Sequence, residues 1–218
     1  MNVSDLRRLI AAELAEVHTC LPGEVVSYDG QFATVRPTLA KQLANGDTLP
    51  APKIVRVPIC WPVGDIGGAK ALITVPLKPG DPVEIRFCER ALDDWLSGLD
   101  GAPNDPRQFD LSDAFATPLH RPGAGLVADL QNVSLQYGPG SIKISPDGKV
   151  TIVAPAGVEM DTPLLQVTGN IASGGGAGTV TVQGSIAVTG DVTAGGKSLQ
   201  THVHSGVQPG AGNSGPPV

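Results

Sequence analysis

The chain has 218 residues, 41% of them hydrophobic, and a formal net charge of −6; this suits one ordinary domain or two small ones and excludes disorder throughout. An acidic chain with no stripe of Lys and Arg is not built to neutralise phosphates, which excludes nucleic acid as a partner. No apolar run approaches the ~18–20 residues that span a bilayer, and the N-terminus lacks the basic and then apolar order of a signal peptide, so a soluble protein made in a cytoplasm is expected.

The 28 Gly and 20 Pro against 8 aromatic residues favour short strands and tight turns over helical bundles, and an all-β class is expected. Cys20, Cys60 and Cys88 are odd in number and widely spaced. They offer neither a disulfide framework nor a Cys-x-x-Cys metal site, and are expected as buried, reduced thiols.

Residues 1–19 hold one helix, expected over 4–17, with Ser4 as its N-cap and Leu6, Leu9, Ile10, Leu14 and Val17 at helical spacing. Its apolar stripe needs a partner, in its own domain or on a neighbouring subunit. From 20 to 96 the pattern changes to strands. Glu24–Tyr28 and Gln31–Val35 flank Asp29-Gly30, a hairpin signal, and Lys53–Trp61, Ala71–Pro76 and Pro82–Cys88 follow, with a short helix over Arg90–Leu96. Five strands in so short a span suit a small closed barrel of the OB-fold type, with a sandwich as the other option. Residues 97–124, rich in Asp, Pro and Gly without a period, read as a linker.

Over 125–200 the composition shifts again. After Tyr137 there is no aromatic residue and no Arg, and only three Lys and four acidic residues remain. Val133, Leu135 and Tyr137, then Ile142 and Ile144, then Val150, Ile152 and Ala154, and later Val180, Val182, Ile186, Val188 and Val192 alternate within short segments separated by Gly and Pro turns. Strands so short, without large apolar side chains, cannot bury a sizeable core within one chain. They must stack or intertwine, as in a β-solenoid or a β-helix wound from several chains.

Residues 201–218 carry the pair His202 and His204, two apart, so that an extended strand turns both side chains to one face. One chain supplies two imidazoles, and rotational symmetry multiplies them. Four nitrogens suit tetrahedral zinc; six suit an octahedral ion such as iron, in a closed structural site. The competing reading is a pair of solvated polar residues. Against it, the pair directly follows the alternating segments, and Gly206–Gly210 is a run of turn formers able to fold back over a tip. His18 and His120 stand alone and read as ordinary histidines. Asp93, Asp94, Asp105, Asp110 and Asp113 could supply a carboxylate pair for glycoside hydrolysis, but without defined spacing they read as a solvated loop. There is no Gly-x-Ser-x-Gly elbow, and Gly174-Gly175-Gly176 lacks the Lys-Ser/Thr of a P-loop.

The chain resembles the central tail-spike, or membrane-puncturing, proteins of contractile-tailed bacteriophages and R-type pyocins. Gly23–Asp29 and Pro79–Arg90 look like that family's OB-fold domain. Gly190–Leu199, followed by Thr201-His202-Val203-His204 and Gly206–Gly210, is similar to its apex. The resemblance implies a homotrimer with an N-terminal OB-fold collar, an intertwined β-helix, and an apex where His202 and His204 of three chains bind one iron ion, zinc being the lesser option. It further implies docking of the collar on the baseplate hub beneath the tail tube, a place at the tip of the virion's baseplate, and passage through the host outer membrane when the sheath contracts. No catalytic residue is expected. A receptor-binding tailspike with glycan-cleaving activity is the alternative, and it would need aromatic platforms that the sequence after Tyr137 lacks. A cupin-like metalloenzyme would need further ligands, for which only Asn213 and Ser214 remain.

Overall fold

The computed structural model describes residues 2–43, 45–123, 125, 127–172, 179–206 and 210. It is mostly β, as expected, and separates into two compact units, Met1–Pro155 and Ala156–Val218. No helix among the described residues is long and apolar enough to cross a membrane.

The first unit starts with α1, Val3–Leu14. Its N-cap is Asn2 rather than Ser4: the Asn2 side chain accepts from the Asp5 amide at 2.8 Å while the Asp5 carboxylate accepts from the Asn2 amide at 3.2 Å, a reciprocal capping box. In chain order follow β1 (Cys20–Tyr28), β2 (Phe32–Pro37), β3 (Lys41–Gln42), β4 (Thr48–Leu49), β5 (Ile54–Pro58), β6 (Val63–Ile66), β7 (Ala69–Leu72), β8 (Pro82–Phe87), the short α2 (Asp93–Leu96) and β9 (Ala114–Pro118).

Five of these strands form one antiparallel sheet in the order β5-β2-β1-β8-β9, which curls until Ile59 makes a parallel bridge to Ala116 between its two ends. Two register shifts drive the curl. One lies between Val25 and Ser27 on β1, and the other sets Val55 and Arg56 of β5 against Thr34 of β2. Extra residues of this kind bend a strand and raise its twist. The inner face holds Val25, Ala33, Val35, Val57, Val83, Ile85 and Ala116, all buried. Gly23 lets β1 lie against that face: a Cβ there would meet Ile85 and stand 2.9 Å from the Arg36 carbonyl oxygen. The Asp29-Gly30 turn forms as expected, its Asp29 carboxylate accepting from the amides of Gln31 and Phe32 at 2.8 and 2.7 Å.

Three expectations need correction. The segment Ala71–Pro76 does not enter the sheet, since only its first two residues are paired, in the separate β6–β7 hairpin. The fifth place is taken instead by β9, out of the stretch 97–124 read as a linker. Nor is that stretch simply solvated: Asp113 is 2% exposed. Its carboxylate accepts from Arg107 Nε at 2.6 Å, Arg107 Nη2 at 2.9 Å and the Leu92 amide at 2.8 Å, while the same guanidinium holds Asp105 and Asp93. One arginine thus ties α2 and the following loop to the start of β9. The cysteines are free, but Cys20 is exposed and Cys60 and Cys88 are only half-buried.

Past the barrel, β10 (Val133–Tyr137), β11 (Gly140–Ile144) and β12 (Val150–Val153) form a three-stranded antiparallel sheet, matching the alternation read from the sequence. Its register sets Val133 against Ile144, Leu135 against Ile142, and both isoleucines against Val150 and Ile152. One face is therefore apolar, aliphatic but for Tyr137 at its edge, yet its members are 43–74% exposed. Asp129 staples the start of this sheet, accepting from the Asn132 side chain and from Lys143 Nζ at 2.9 Å, and these bonds with the amides of Gln131 and Asn132 hold its carboxyl far below the usual range.

In the second unit the only regular elements among the described residues are β13 (Thr193–Ala194) and β14 (Lys197–Ser198). Between β12 and β13 the described residues form no strand. The chain runs in short straight stretches, 164–167 and 185–188 among them, separated by bends at 163, 168–169, 183–184 and 189–190. Leu164, Leu165, Val167, Ile171, Val180, Val182, Ile186 and Val188 all remain exposed. The stretch Ser173–Gly178, which holds Gly174-Gly175-Gly176, lies outside the described residues.

Candidate metal site

The approach to the histidine pair is a two-residue hairpin. Gly195 and Gly196 have φ of 55° and 76°, as a type I′ turn demands, and they place Ala194 opposite Lys197. Asp191 lies at the base. Its carboxylate accepts from the Gln200 amide at 3.1 Å, and the nearby Ser198 hydroxyl foremost, together with that amide, holds its carboxyl below the ordinary range. Ser198 Oγ in turn accepts from the Thr201 amide at 3.0 Å and from Thr201 Oγ1 at 2.9 Å. The Leu199 amide donates to the Val192 carbonyl at 2.8 Å. A chain of four residues, 198–201, is thereby tied back onto the hairpin just before the first histidine.

His202 continues that tie. Its amide donates to the Ser198 carbonyl at 3.2 Å. Its ring Nδ1 lies 2.9 Å from the same oxygen and 3.2 Å from that of Leu199. Carbonyl oxygens only accept, so Nδ1 carries the proton, and in the neutral ring Nε2 is left with a free lone pair. This is the arrangement by which a backbone carbonyl orients a metal-binding imidazole. The His204 ring lies with its centroid 5.0 Å from that of His202, at 82° to it. Both side chains are exposed, and they share a shallow concavity with Gly196, Lys197, Ser198 and Thr201.

The structure thus brings the two sequence-predicted residues together on one side of the chain. Among the described residues no group of three or more His, Cys, Asp or Glu side chains could hold a metal ion, so any metal here draws its remaining ligands from elsewhere. Two imidazoles with one tautomer fixed fit a transition metal's preference for neutral nitrogen donors. His18 and His120 lie apart from the pair: His18 packs edge-on against Phe87 at 5.6 Å, and His120 lines a groove beside Arg121. Asn213 and Ser214 lie outside the described residues, as does most of the Gly206–Gly210 turn region. Asp93, Asp105 and Asp113 are committed to Arg107 and form no free carboxylate pair. Sequence reasoning gave Asp191 and Ser198 no role, although the Asp-then-Gly-Gly spacing was the available signal for a stapled hairpin.

Two family profiles match the chain: the phage protein Gp138 N-terminal domain over residues 21–118 and the GpV apex motif over residues 198–218. The first match covers β1 to β9 and ends where β9 ends; the second covers Ser198, His202 and His204. Both are families of structural phage tail proteins, which makes this chain a component of the virion that assembles into a phage tail. Within that class both profiles mark tail spike proteins, so the chain carries two modules of that kind, over residues 21–118 and 198–218. No curated protein matches the chain.

Proposed function

We propose that this protein is the non-enzymatic spike at the tip of a contractile tail, a homotrimer that pierces the host outer membrane when the sheath contracts. The observation that carries this reading lies in the second unit: over 156–192 an alternating, bend-punctuated segment has exposed apolar side chains, and its described residues pair in no strand of their own chain. Backbone amides and carbonyls need partners, and a segment that finds none in its own chain finds them in other copies. Three such chains wound together form a β-helix in which each neighbour completes the others' core. The sheet β10–β12, with one aliphatic face, begins that rod.

The barrel serves as the collar. Its strand order and the parallel Ile59–Ala116 bridge support the five-stranded, partly open closure of an OB-fold, and it docks on the baseplate hub. At the other end His202 and His204 of three chains hold one iron ion in an all-nitrogen shell, zinc being the lesser option. Such an ion supplies a cross-link. The residues of the chain do the rest: Ser198 and Leu199 orient the His202 ring, and Asp191 fixes the hairpin beneath it. The work comes from the sheath, and the spike contributes shape and stiffness.

Metal content measured with native mass tests the reading. One transition-metal ion per three chains is expected, with the His202→Ala/His204→Ala variant trimeric but metal-free. A double variant that keeps full metal content removes the site assignment, and a monomeric wild type removes the spike architecture.

A further inference from the structure

Two apolar surfaces of the first unit face solvent in a single chain. One is the stripe of α1 and its following turn, Leu6, Leu9, Ile10, Leu14 and Val17, each 42–65% exposed. The other is a groove lined by Leu21, Leu39, Leu49, Pro50, Pro52 and Leu111. The C-terminal end of α1 stands at the rim of this groove, where Ala15 and Glu16 line it, yet none of residues 3–14 does. A strap explains why. Lys41 Nζ lies 2.7 Å from the Glu16 carboxylate and 3.4 Å from the Ala15 carbonyl oxygen, a cation placed on the negative end of the helix. It fixes where the helix leaves the barrel and holds the stripe off the groove at its foot.

The helix nevertheless needs cover. At 12 residues it is about as short as an isolated helix can be and still form at the margin in water. Stripe and groove are chiefly aliphatic, with Glu13 on the stripe one turn on from Leu9 and Ile10 and Arg8 on the opposite side of the helix. We propose that α1 of one copy seats its stripe in the groove of the next copy, so that the collars are linked head to tail in a closed ring. This rests on the homotrimer reading above. Rotational symmetry lets such an unlike-to-unlike contact close, so that every stripe and every groove is used.

The test uses the full chain with Ile10→Cys and Leu49→Cys together, in a Cys20→Ser background, oxidised and read on a non-reducing gel beside native mass. Disulfide-linked multimers are expected from the double variant and from neither single one. A link within one chain overturns the proposal, because the helix then covers its own groove. Multimers from Ile10→Cys alone overturn it in favour of helices packed on each other. A trimeric native mass without any link assigns the surfaces to another protein and overturns it while leaving the trimer intact; a monomeric native mass overturns the trimer itself. Independently, Leu39→Glu/Leu49→Glu is expected to speed amide exchange in residues 6–14 by at least about tenfold, although the helix sequence is untouched. Unchanged exchange there overturns the proposal.

Discussion

The barrel and the C-terminal segment solve the same problem in opposite ways. In the barrel, a sheet bent by two register shifts closes over Val25, Val35, Val57, Val83 and Ile85, and every buried side-chain polar atom among the described residues has a partner. Between β12 and β13, valines and isoleucines stay exposed and the described residues form no strand with their own chain. Composition explains the difference. The barrel adds Phe87, Tyr28, Leu21, Leu77 and Leu111 to its valines and isoleucines, whereas no aromatic residue follows Tyr137 to fill an interior.

The contrast can be broken most forcefully at Arg107. Arg107→Ala leaves the Asp113 carboxylate buried without its cation and is expected to cost the barrel about 3–5 kcal/mol in denaturant unfolding. Arg107→Met/Asp113→Leu should recover part of that loss. Next, Ile85→Ala should cost the barrel roughly 3 kcal/mol, whereas Ile186→Ala, exposed in the single chain, should leave a dilute monomer unchanged and weaken only the assembled form. Equal costs at the two positions would erase the distinction drawn here. A smaller effect follows from mass action: tenfold dilution should destabilise the C-terminal segment by at least about 1.4 kcal/mol while leaving the barrel's unfolding midpoint fixed, as two-probe melting curves would reveal.

The smallest effect concerns pH. Asp129 and Asp191 both have carboxyls held below their unfolded value of about 4. Each therefore contributes stability that is complete above about pH 4 and drains away as the pH falls towards the lowered folded value. Asp129→Asn/Asp191→Asn should flatten the acid limb of the stability curve by lowering stability slightly at neutral pH, and leave the most acidic end almost untouched. An unchanged acid limb would show that these turns hold without their carboxylates.

Much of this was legible in the sequence because it is local. Alternation gave β10, β11 and β12 nearly to the residue, Asp29-Gly30 gave the first hairpin, and the spacing of His202 and His204 gave a pair that the structure brings together. What was hidden is long-range. The extended run Ala71–Pro76 alternates like a strand but pairs only at its start, whereas Ala114–Pro118, set among loop residues, finds β8. No local signal tells which of two extended segments has a partner. Asp113 was misread for the same reason: its burial depends on Arg107, and an acid amid Asp, Pro and Gly looks solvated until that contact is seen. At the apex, the tautomer of His202 depends on carbonyl groups that composition does not display.

The order of the two regions along the chain has a consequence in time. Synthesis delivers the barrel first, and with a core of its own it can fold while the later residues are still emerging. Under the proposed trimer the newly released molecule is half finished, a folded head trailing an aliphatic segment that needs other copies. Its maturation would then have a step of higher than first order, so the yield of finished spikes would rise with the rate at which copies are made in one place, as on a single crowded messenger, and a slow or scattered supply would favour sticking over winding.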